Sequence, residues 1–585
     1  MNVSYFIADY LEKKKIKNIF LVTGGGMMFL TDALSKSNIN LIFNHHEQAS
    51  FFSTDGYTRT SQKTGVCFAT SGPGMTNLMT GILSAWQDSS PIVIIGGQCK
   101  LRETIQYSKI KKIRQIGTFE GNSLEMLKPI TKFTKRITDP NSIKYYLDKA
   151  FYIANEGRPG PVFLEIPLDI QAAPINRNKI LNKKFIYPLK KKKNINFKLI
   201  EKNLSKSKKP VILIGHGIRA TKSVDLFRNF IKKNKIPVVT TQFAKDTIYY
   251  ANNCFIGHCG PKGDRAANIA IQNSDFILII GCSLHSQTIG WEHELFAPKA
   301  YKIQIDIDEN VLKKKKPKID LKFKCDVGYF IKKLPNLKIN NKTYNVWFNY
   351  CLSLKKKLHI TKEPFLRNKL KLNYYEFINK LSKLLPSKST IVTDAGAAYY
   401  ILGQALHIKK NQRYIIPASQ GTMGYALPAS NGSAVYNKNK IPAICVTGDG
   451  SLMTNMHDFS VTSYNKLNVK IFIINNGGYM SINNSQKEFF KGNGFGTNSS
   501  NGLFIVNYKE LAKVFKLPYF SCKSLEDLKK INKKIFKTKL PAIIDCHVSA
   551  DQEIIPSLKS KLSSSGKFVA QPLDNMYPYI NNKLW

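Results

Sequence analysis

Two short runs in the C-terminal third carry the residue types needed to hold a charged phosphate group. They are Gly448-Asp449-Gly450-Ser451 and Asn475-Asn476-Gly477-Gly478, with Asp449 and Asn476 separated by 27 positions. Asp449 offers a carboxylate, Asn476 an amide oxygen and Gly478 a backbone carbonyl, a hard oxygen set that suits Mg²⁺ with phosphate oxygens and water in its remaining positions. Gly448 and Gly450 let the backbone approach the phosphates. The apolar segments 441–447 and 469–474 read as neighbouring buried strands. Both runs then fall at strand C-termini, the edge where open α/β sheets bind ligands. By itself Gly-Asp-Gly is also an ordinary turn.

Further clusters accompany this clamp. Upstream lie Asn44-His45-His46-Glu47-Gln48-Ala49, Asp55-Gly56-Tyr57-Thr58-Arg59 and Thr70-Ser71-Gly72-Pro73-Gly74-Met75-Thr76-Asn77; just ahead of the clamp lies Ser419-Gln420-Gly421-Thr422-Met423-Gly424-Tyr425-Ala426-Leu427-Pro428. In this order the motifs resemble the thiamine diphosphate enzymes, whose cofactor motif is GDG followed at a similar distance by NN. The resemblance implies thiamine diphosphate and Mg²⁺ as cofactors. It makes Glu47 the catalytic acid, bonded to a pyrimidine ring nitrogen and driving the cofactor's amino group to its imino form. Ser71, Gly72, Pro73, Gly74 and Asn77 become a platform under the pyrimidine, and Met423 a wedge that bends the cofactor into a V. The Gly421 carbonyl would accept from the amino group. Gly396, Gly448, Gly450, Ser451, Tyr479 and Met480 complete the cofactor pocket, with Asp449, Asn476 and Gly478 on the metal.

The elements that must position these residues follow from apolar patterning. The implied fold class is α/β, with three doubly wound parallel-sheet domains: pyrimidine-binding (1–180), central Rossmann-like (195–340) and diphosphate-binding (370–550), then a C-terminal arm (551–585) near the active site. Strands are expected at 19–22, 65–70, 92–96, 162–166, 210–214, 276–281 and 302–307, alternating with helices as parallel sheets require. Lysine-rich stretches at 176–209 and 313–369 read as linkers, the second with a helical stretch at 344–357. A helix is expected from 479 to 490, its N-terminus facing the diphosphate.

In the central unit, Gly215-His216-Gly217-Ile218-Arg219-Ala220 follows a strand and precedes a helix, the setting of a dinucleotide fingerprint. Gly263-Asp264-Arg265 with Asn268 resembles a nucleotide-contacting segment. Gly281-Cys282-Ser283-Leu284 lacks the arginines that flavin-binding relatives carry after this glycine. FAD and a domain that keeps its shape without a nucleotide stand as equal alternatives.

The chain has 585 residues and a formal net charge of +49. Its lysines are spread over every segment, which argues for solvated surface and against a nucleic-acid partner. No apolar run approaches the ~20 residues of a membrane span. The N-terminal segment, with Asp9 and Glu12 in an amphipathic pattern, does not read as a signal peptide. Ten cysteines without metal spacing read as free thiols of a cytoplasmic protein.

The domain order and the contexts of Glu47 and Met423 are most similar to acetolactate synthase large subunits. That resemblance implies decarboxylation of a 2-oxo acid, pyruvate, with carboligation of the acyl carbanion to a carbonyl acceptor. It also implies a homodimer or homotetramer with sites shared between subunits, and leaves room for a small regulatory subunit. Val22-Thr23-Gly24-Gly25-Gly26 and Gly117-Thr118-Phe119-Glu120-Gly121 depart from the segments of the amino-acid biosynthetic enzymes, and Ser485 stands where they carry tryptophan. These positions shape the acceptor site. A non-ligating decarboxylase and a carboligase acting on a keto-sugar in surface-polysaccharide biosynthesis are the alternatives.

Overall fold

The computed structural model describes residues 1–182, 184–188, 195–365, 371–490, 494–562, 566 and 568–580. The lysine run 190–193 and the end of the arm, 581–585, lie outside the described residues.

Three parallel six-stranded sheets, each covered by helices, form the chain. The first contains β1 (Asn18–Leu21), β2 (Asn40–Phe43), β3 (Gly65–Ala69), β4 (Ile92–Gln98), β5 (Thr134–Arg136) and β6 (Val162–Pro167). The second contains β7 (Pro210–Ile214), β8 (Val238–Thr240), β9 (Phe255–His258), β10 (Phe276–Ile280), β11 (Tyr301–Asp306) and β12 (Leu321–Lys324). The third contains β13 (Thr390–Thr393), β14 (Arg413–Ile415), β15 (Ala443–Gly448), β16 (Val469–Asn475), β17 (Tyr519–Cys522) and β18 (Ala542–His547). Central strands such as β4, β10 and β16 are near-continuous Val/Ile/Phe runs because both their faces are buried.

The orders are β2-β1-β3-β4-β6-β5 and β14-β13-β15-β16-β18-β17, so the first and third sheets share one topology. The middle sheet runs β12-β11-β10-β7-β8-β9, the doubly wound dinucleotide-binding order read from its far edge. Strand order reverses between β1 and β3, β7 and β10, and β13 and β15. Crevices open outside the strand ends at such points, and the Gly-rich segments, the central fingerprint and the clamp occupy them.

Both linkers are shorter than the charge pattern suggests. Helix Phe197–Lys206 buries Ile200 and Leu204 in the central core, and helix Asn345–Lys357 buries Trp347, Phe348, Cys351 and Leu354 there. The central core thus continues past residue 340, because lysines on the outer faces of these helices mask an apolar stripe on the inner ones. β12, with alternating Leu321 and Phe323 inward, is an edge strand inside the stretch expected to link. The arm packs on the central domain: Arg265 donates to the carbonyls of Met576 (3.0 Å) and Pro578 (2.6 Å). It also reaches the helix after the clamp, where Asn484 donates to the Gln552 carbonyl at 3.1 Å. No helix among the described residues is long and apolar enough to cross a membrane. The ten cysteines are free and buried.

Candidate active site

β15 ends at Gly448 and turns directly into the short helix Asp449–Leu452. The Asp449 carboxylate points at the loop after β16: one oxygen accepts from the N–H groups of Asn476 (3.1 Å), Gly477 (2.7 Å) and Gly478 (2.9 Å), the other from Gly450 (2.8 Å). Burial nevertheless pushes its carboxyl up to about 6, the four amides offsetting only part of the desolvation. No Lys or Arg pairs with Asp449 among the described residues. The side-chain oxygen of Asn476 is buried and has no hydrogen-bond partner, an uncompensated cost unless another group bonds it.

Glycine is required in this loop. Gly478 has φ +130°, and a Cβ there would lie 2.1 Å from the Thr497 carbonyl oxygen. A Cβ on Gly450 would meet the Tyr479 ring at 2.4 Å. Tyr508, which carries no sequence signal for this role, donates to the Asp449 backbone carbonyl at 2.8 Å. Met480 opens helix Met480–Phe490 one residue later than expected. Across the switch point, Gly396 (φ +63°) opens helix Gly396–Ala405, and a Cβ there would lie 3.2 Å from the Ser481 hydroxyl. Beside it Asp394, buried and pushed up to about 6 by desolvation, accepts from Thr447 at 2.8 Å.

Glu47 is the first residue of helix Glu47–Ser61, capped by His46, whose Nδ1 accepts from the Gln48 N–H at 3.1 Å. The Glu47 carboxylate accepts from the Asn77 amide at 2.8 Å. Asn77 lies on helix Pro73–Asp88, which Gly72 (φ +58°) and Pro73 open beside Ser71. A Cβ on Gly74 would sit 3.7 Å from the Glu47 Oε1. Glu47, 71–74 and Asn77 therefore form one cluster at the ends of β3 and the helix after β2. The Gly24–Gly26 segment joins it: the Gly26 N–H donates to the Thr70 hydroxyl at 3.0 Å.

Gly421 (φ +61°) and Gly424 (φ +72°) flank Met423, whose side chain is 40% exposed. The Gly424 N–H donates to Ser451 Oγ at 3.0 Å, which hangs this loop on the clamp. Among the described residues no hydrogen bond joins Glu47, Asn77 or 71–74 to the clamp of the same chain. The first and third domains meet instead along helices Glu47–Ser61 and Ala426–Tyr436, with Asn455 donating to Gln48 (2.9 Å) and Asn44 to Asp458 (2.8 Å). Asn455 and Asp458 escape a motif reading because their contacts lie far away in the chain.

A second cavity, of about 460 Å³, lies at the switch point of the central sheet and reaches the first domain, lined by Gly215, His216, Gly217, Thr241, Gly281 and Asp306 among others. His216 stacks on Phe243 (4.1 Å between centroids) and leaves its Nδ1 buried without a partner. The segment expected to contact a nucleotide is otherwise engaged. Asp264 bonds His258, Arg265 pairs with Glu363, and Asn268 bonds Gly260 through both its amide groups.

Comparison with known proteins agrees with this geometry. Three family models match in order: "Thiamine pyrophosphate enzyme, N-terminal TPP binding domain" over 1–117, its "central domain" over 198–334 and its "C-terminal TPP binding domain" over 394–546. The acetolactate synthase large subunit of Cyanidium caldarium is 29% identical over 579 residues, 96% of each chain. Acetolactate synthase isozyme 1 large subunit of Escherichia coli (strain K12) is 29% identical over 558 residues, 94% of each. A Methanocaldococcus jannaschii protein described as "Probable acetolactate synthase large subunit" is 31% identical over 482 residues, 80% of this chain and 79% of the relative. With all three domain models matched in order and a relative 31% identical matched over 79% of its length, the chain belongs to the thiamine pyrophosphate enzymes and is a thiamine diphosphate-dependent enzyme related to acetolactate synthase large subunits.

Proposed function

We propose that this enzyme decarboxylates a 2-oxo acid, pyruvate, and transfers the acyl carbanion to a carbonyl acceptor. The observation that carries this reading is the pairing of an intact Glu47–Asn77 cluster with an intact clamp in a chain similar to acetolactate synthase large subunits over nearly its whole length. Bound thiamine diphosphate supplies the electron sink for the carbanion. Asp449, the Asn476 Oδ1 and the Gly478 carbonyl would hold Mg²⁺; the unpartnered Asn476 oxygen supports this, since a metal satisfies a buried acceptor that the protein leaves bare. Glu47, held by Asn77, would be the group that supplies a proton at the pyrimidine ring nitrogen. Met423 would serve as the wedge between the two cofactor rings, and the Gly421 carbonyl would accept a hydrogen bond from the cofactor's amino group. The platform 71–74, Gly396, Gly448, Gly450, Ser451, Tyr479 and Met480 wall the pocket.

The donor halves come from two subunits in this reading. Support comes from apolar side chains left on the surface around both halves: Phe43 (51% exposed), Phe119 (71%), Ile482 (51%) and Phe490 (72%). Such residues call for cover by a second copy. The alternative of a larger acceptor, such as a keto-sugar, draws on Ser485, exposed and small on the helix after the clamp. The central cavity, at a doubly wound switch point, leaves FAD and a domain without a nucleotide as the two alternatives. FAD release on denaturation of a yellow preparation would decide for the flavin.

The deciding experiment incubates the protein with thiamine diphosphate, Mg²⁺ and pyruvate and identifies the product. Acetolactate is expected. Acetaldehyde alone would reassign the enzyme as a simple decarboxylase, and unconsumed pyruvate would exclude it as the donor.

A further inference from the structure

We infer that Asn455 is a positioning residue that sets both the loop carrying Met423 and the helix carrying Glu47 through one amide group. The inference rests on the cofactor roles proposed above for those two residues.

Asn455 follows the clamp helix closely, and its backbone is pinned there: its N–H donates to the Leu452 carbonyl (3.2 Å) and its carbonyl accepts from the Asp458 N–H (3.1 Å). It is 1% exposed. From this position its Nδ2 donates one hydrogen to the Gly424 carbonyl (3.0 Å) and one to Gln48 Oε1 (2.9 Å). The orientation of the amide is dictated, because a backbone carbonyl can only accept. Turning the amide over would set oxygen against oxygen.

Each partner adjoins a residue given a cofactor role above, and with the halves shared between copies the two residues serve different sites of the assembly. Gly424 follows Met423, and its peptide group is gripped from both ends, the N–H by Ser451 Oγ and the carbonyl by Asn455. A Cβ on Gly424 would come 2.8 Å from Asn455 Nδ2, so the contact is as close as a bare glycine allows. Gln48 follows Glu47, and its N–H is held by the capping Nδ1 of His46. The hydrogen-bonded path therefore runs from the cap of the Glu47 helix, through Gln48 and Asn455, to Gly424 and Ser451 in the clamp. The Asn455–Gln48 bond is the step of this path that crosses from the third domain to the first.

Alanine removes both donors. Aspartate keeps the shape and sets one acceptor oxygen, in the place of Nδ2, against both acceptors, so it tests donation rather than volume. Serine restores a single donor. For Asn455→Ala and Asn455→Asp we expect kcat to fall about 10- to 100-fold, the cost of misplacing reacting groups by about an ångström. The KM for the 2-oxo acid and the Kd for thiamine diphosphate should change by less than about threefold, because the diphosphate clamp is untouched. Asn455→Ser should fall between. Hydrogen exchange at the thiazolium carbon of bound cofactor, followed without substrate, should slow by the same factor as kcat. Exchange at the wild-type rate in both variants, or a loss confined to cofactor affinity, would overturn the proposal. Should Asn455→Ala fail to fold, Gln48→Met removes only the acceptor on the Glu47 side and should still slow exchange. Wild-type protein with no exchange would instead overturn the roles given to Glu47 and Met423, independently of which substrate the enzyme takes.

Discussion

At the residue scale, Glu47 and Asp449 show two ways a carboxylate is prepared for work. Asp449 is wrapped by four backbone N–H groups, yet burial still pushes its carboxyl up to about 6. Glu47 has one side-chain donor, Asn77, and stays open to a ligand. Glu47→Gln should cost about 10²–10⁴-fold or more in kcat with cofactor affinity nearly unchanged, since the amide cannot supply the proton. Normal hydrogen exchange at the thiazolium carbon of this variant would show that another group is the acid. Asp458 is a third case: fully buried, bonded to Asn44 (2.8 Å) and Asn431 (2.7 Å), with His45 acting only at a distance. Its carboxyl is raised from 3.8 to about 6 by desolvation. The stability this confers is full below the unfolded value and lost as pH rises through about 6, amounting to about 3 kcal/mol. The thermal midpoint of Asp458→Asn, compared with wild type, should therefore improve between about pH 4 and about pH 7; a pH-independent gap would contradict the assignment.

At the element scale, the contact between the first and third domains depends on two helices that touch backbone to backbone. A Cβ on Gly432 would lie 1.8 Å from the Ser53 carbonyl oxygen, and one on Gly56 would lie 2.1 Å from that of Ala429. Helices Glu47–Ser61 and Ala426–Tyr436 can cross this closely only with glycine at both points. Their side chains then lock the pair: Tyr425 donates to Asp55 at 2.6 Å, and Thr60 bonds Ser433 at 2.8 Å. Gly432→Ala should destabilise the protein by about 1–3 kcal/mol through overpacking. Because the Glu47 helix starts at this seam, activity should fall further than folded protein does. Calorimetry alongside activity per folded molecule checks both parts.

At the scale of the whole molecule, buried charge clusters tie the three domains. Arg59 pairs with Asp55 and Asp88, and Asp88 also accepts from the N–H groups of Ala418 (2.9 Å) and Ser419 (3.0 Å) in the third domain. Asp246 of the central domain pairs with Arg219 and with Arg413 of the third. Removing one member of such a cluster strands a buried charge, so these contacts hold each chain in one arrangement. In that arrangement the Glu47–Asn77 cluster shares no hydrogen bond with the Asp449–Asn476 clamp among the described residues, and the proposed sharing of the site between copies has a direct test. Mixing inactive Glu47→Gln subunits with inactive Asp449→Ala subunits should restore part of the activity, through hybrid dimers with one unmutated site. No rescue after verified subunit exchange, or a fully active monomer, would exclude the shared site.

The sequence by itself determined what is local and periodic. Buried strands are continuous apolar runs, so β3, β4, β6, β7, β10, β11, β15 and β16 were legible within a residue or two. The pairing of 448–451 with 475–478 was legible as well, because both are short motifs at the ends of neighbouring strands, where the Asp449 carboxylate accepts from 476–478. Edge strands such as β5, β9, β14 and β17 were not, since three or four residues with one partner leave no pattern to read. Lysine-coated helices were mistaken for linkers for a related reason: composition averages over faces that only packing distinguishes. The tertiary structure alone decided the close crossing at Gly56 and Gly432, the internal engagement of Asp264, Arg265 and Asn268, and the placing of Tyr508 and Asn455. Each of these is a contact between residues far apart in the chain, and its chemistry exists only once the fold has brought them within hydrogen-bonding distance.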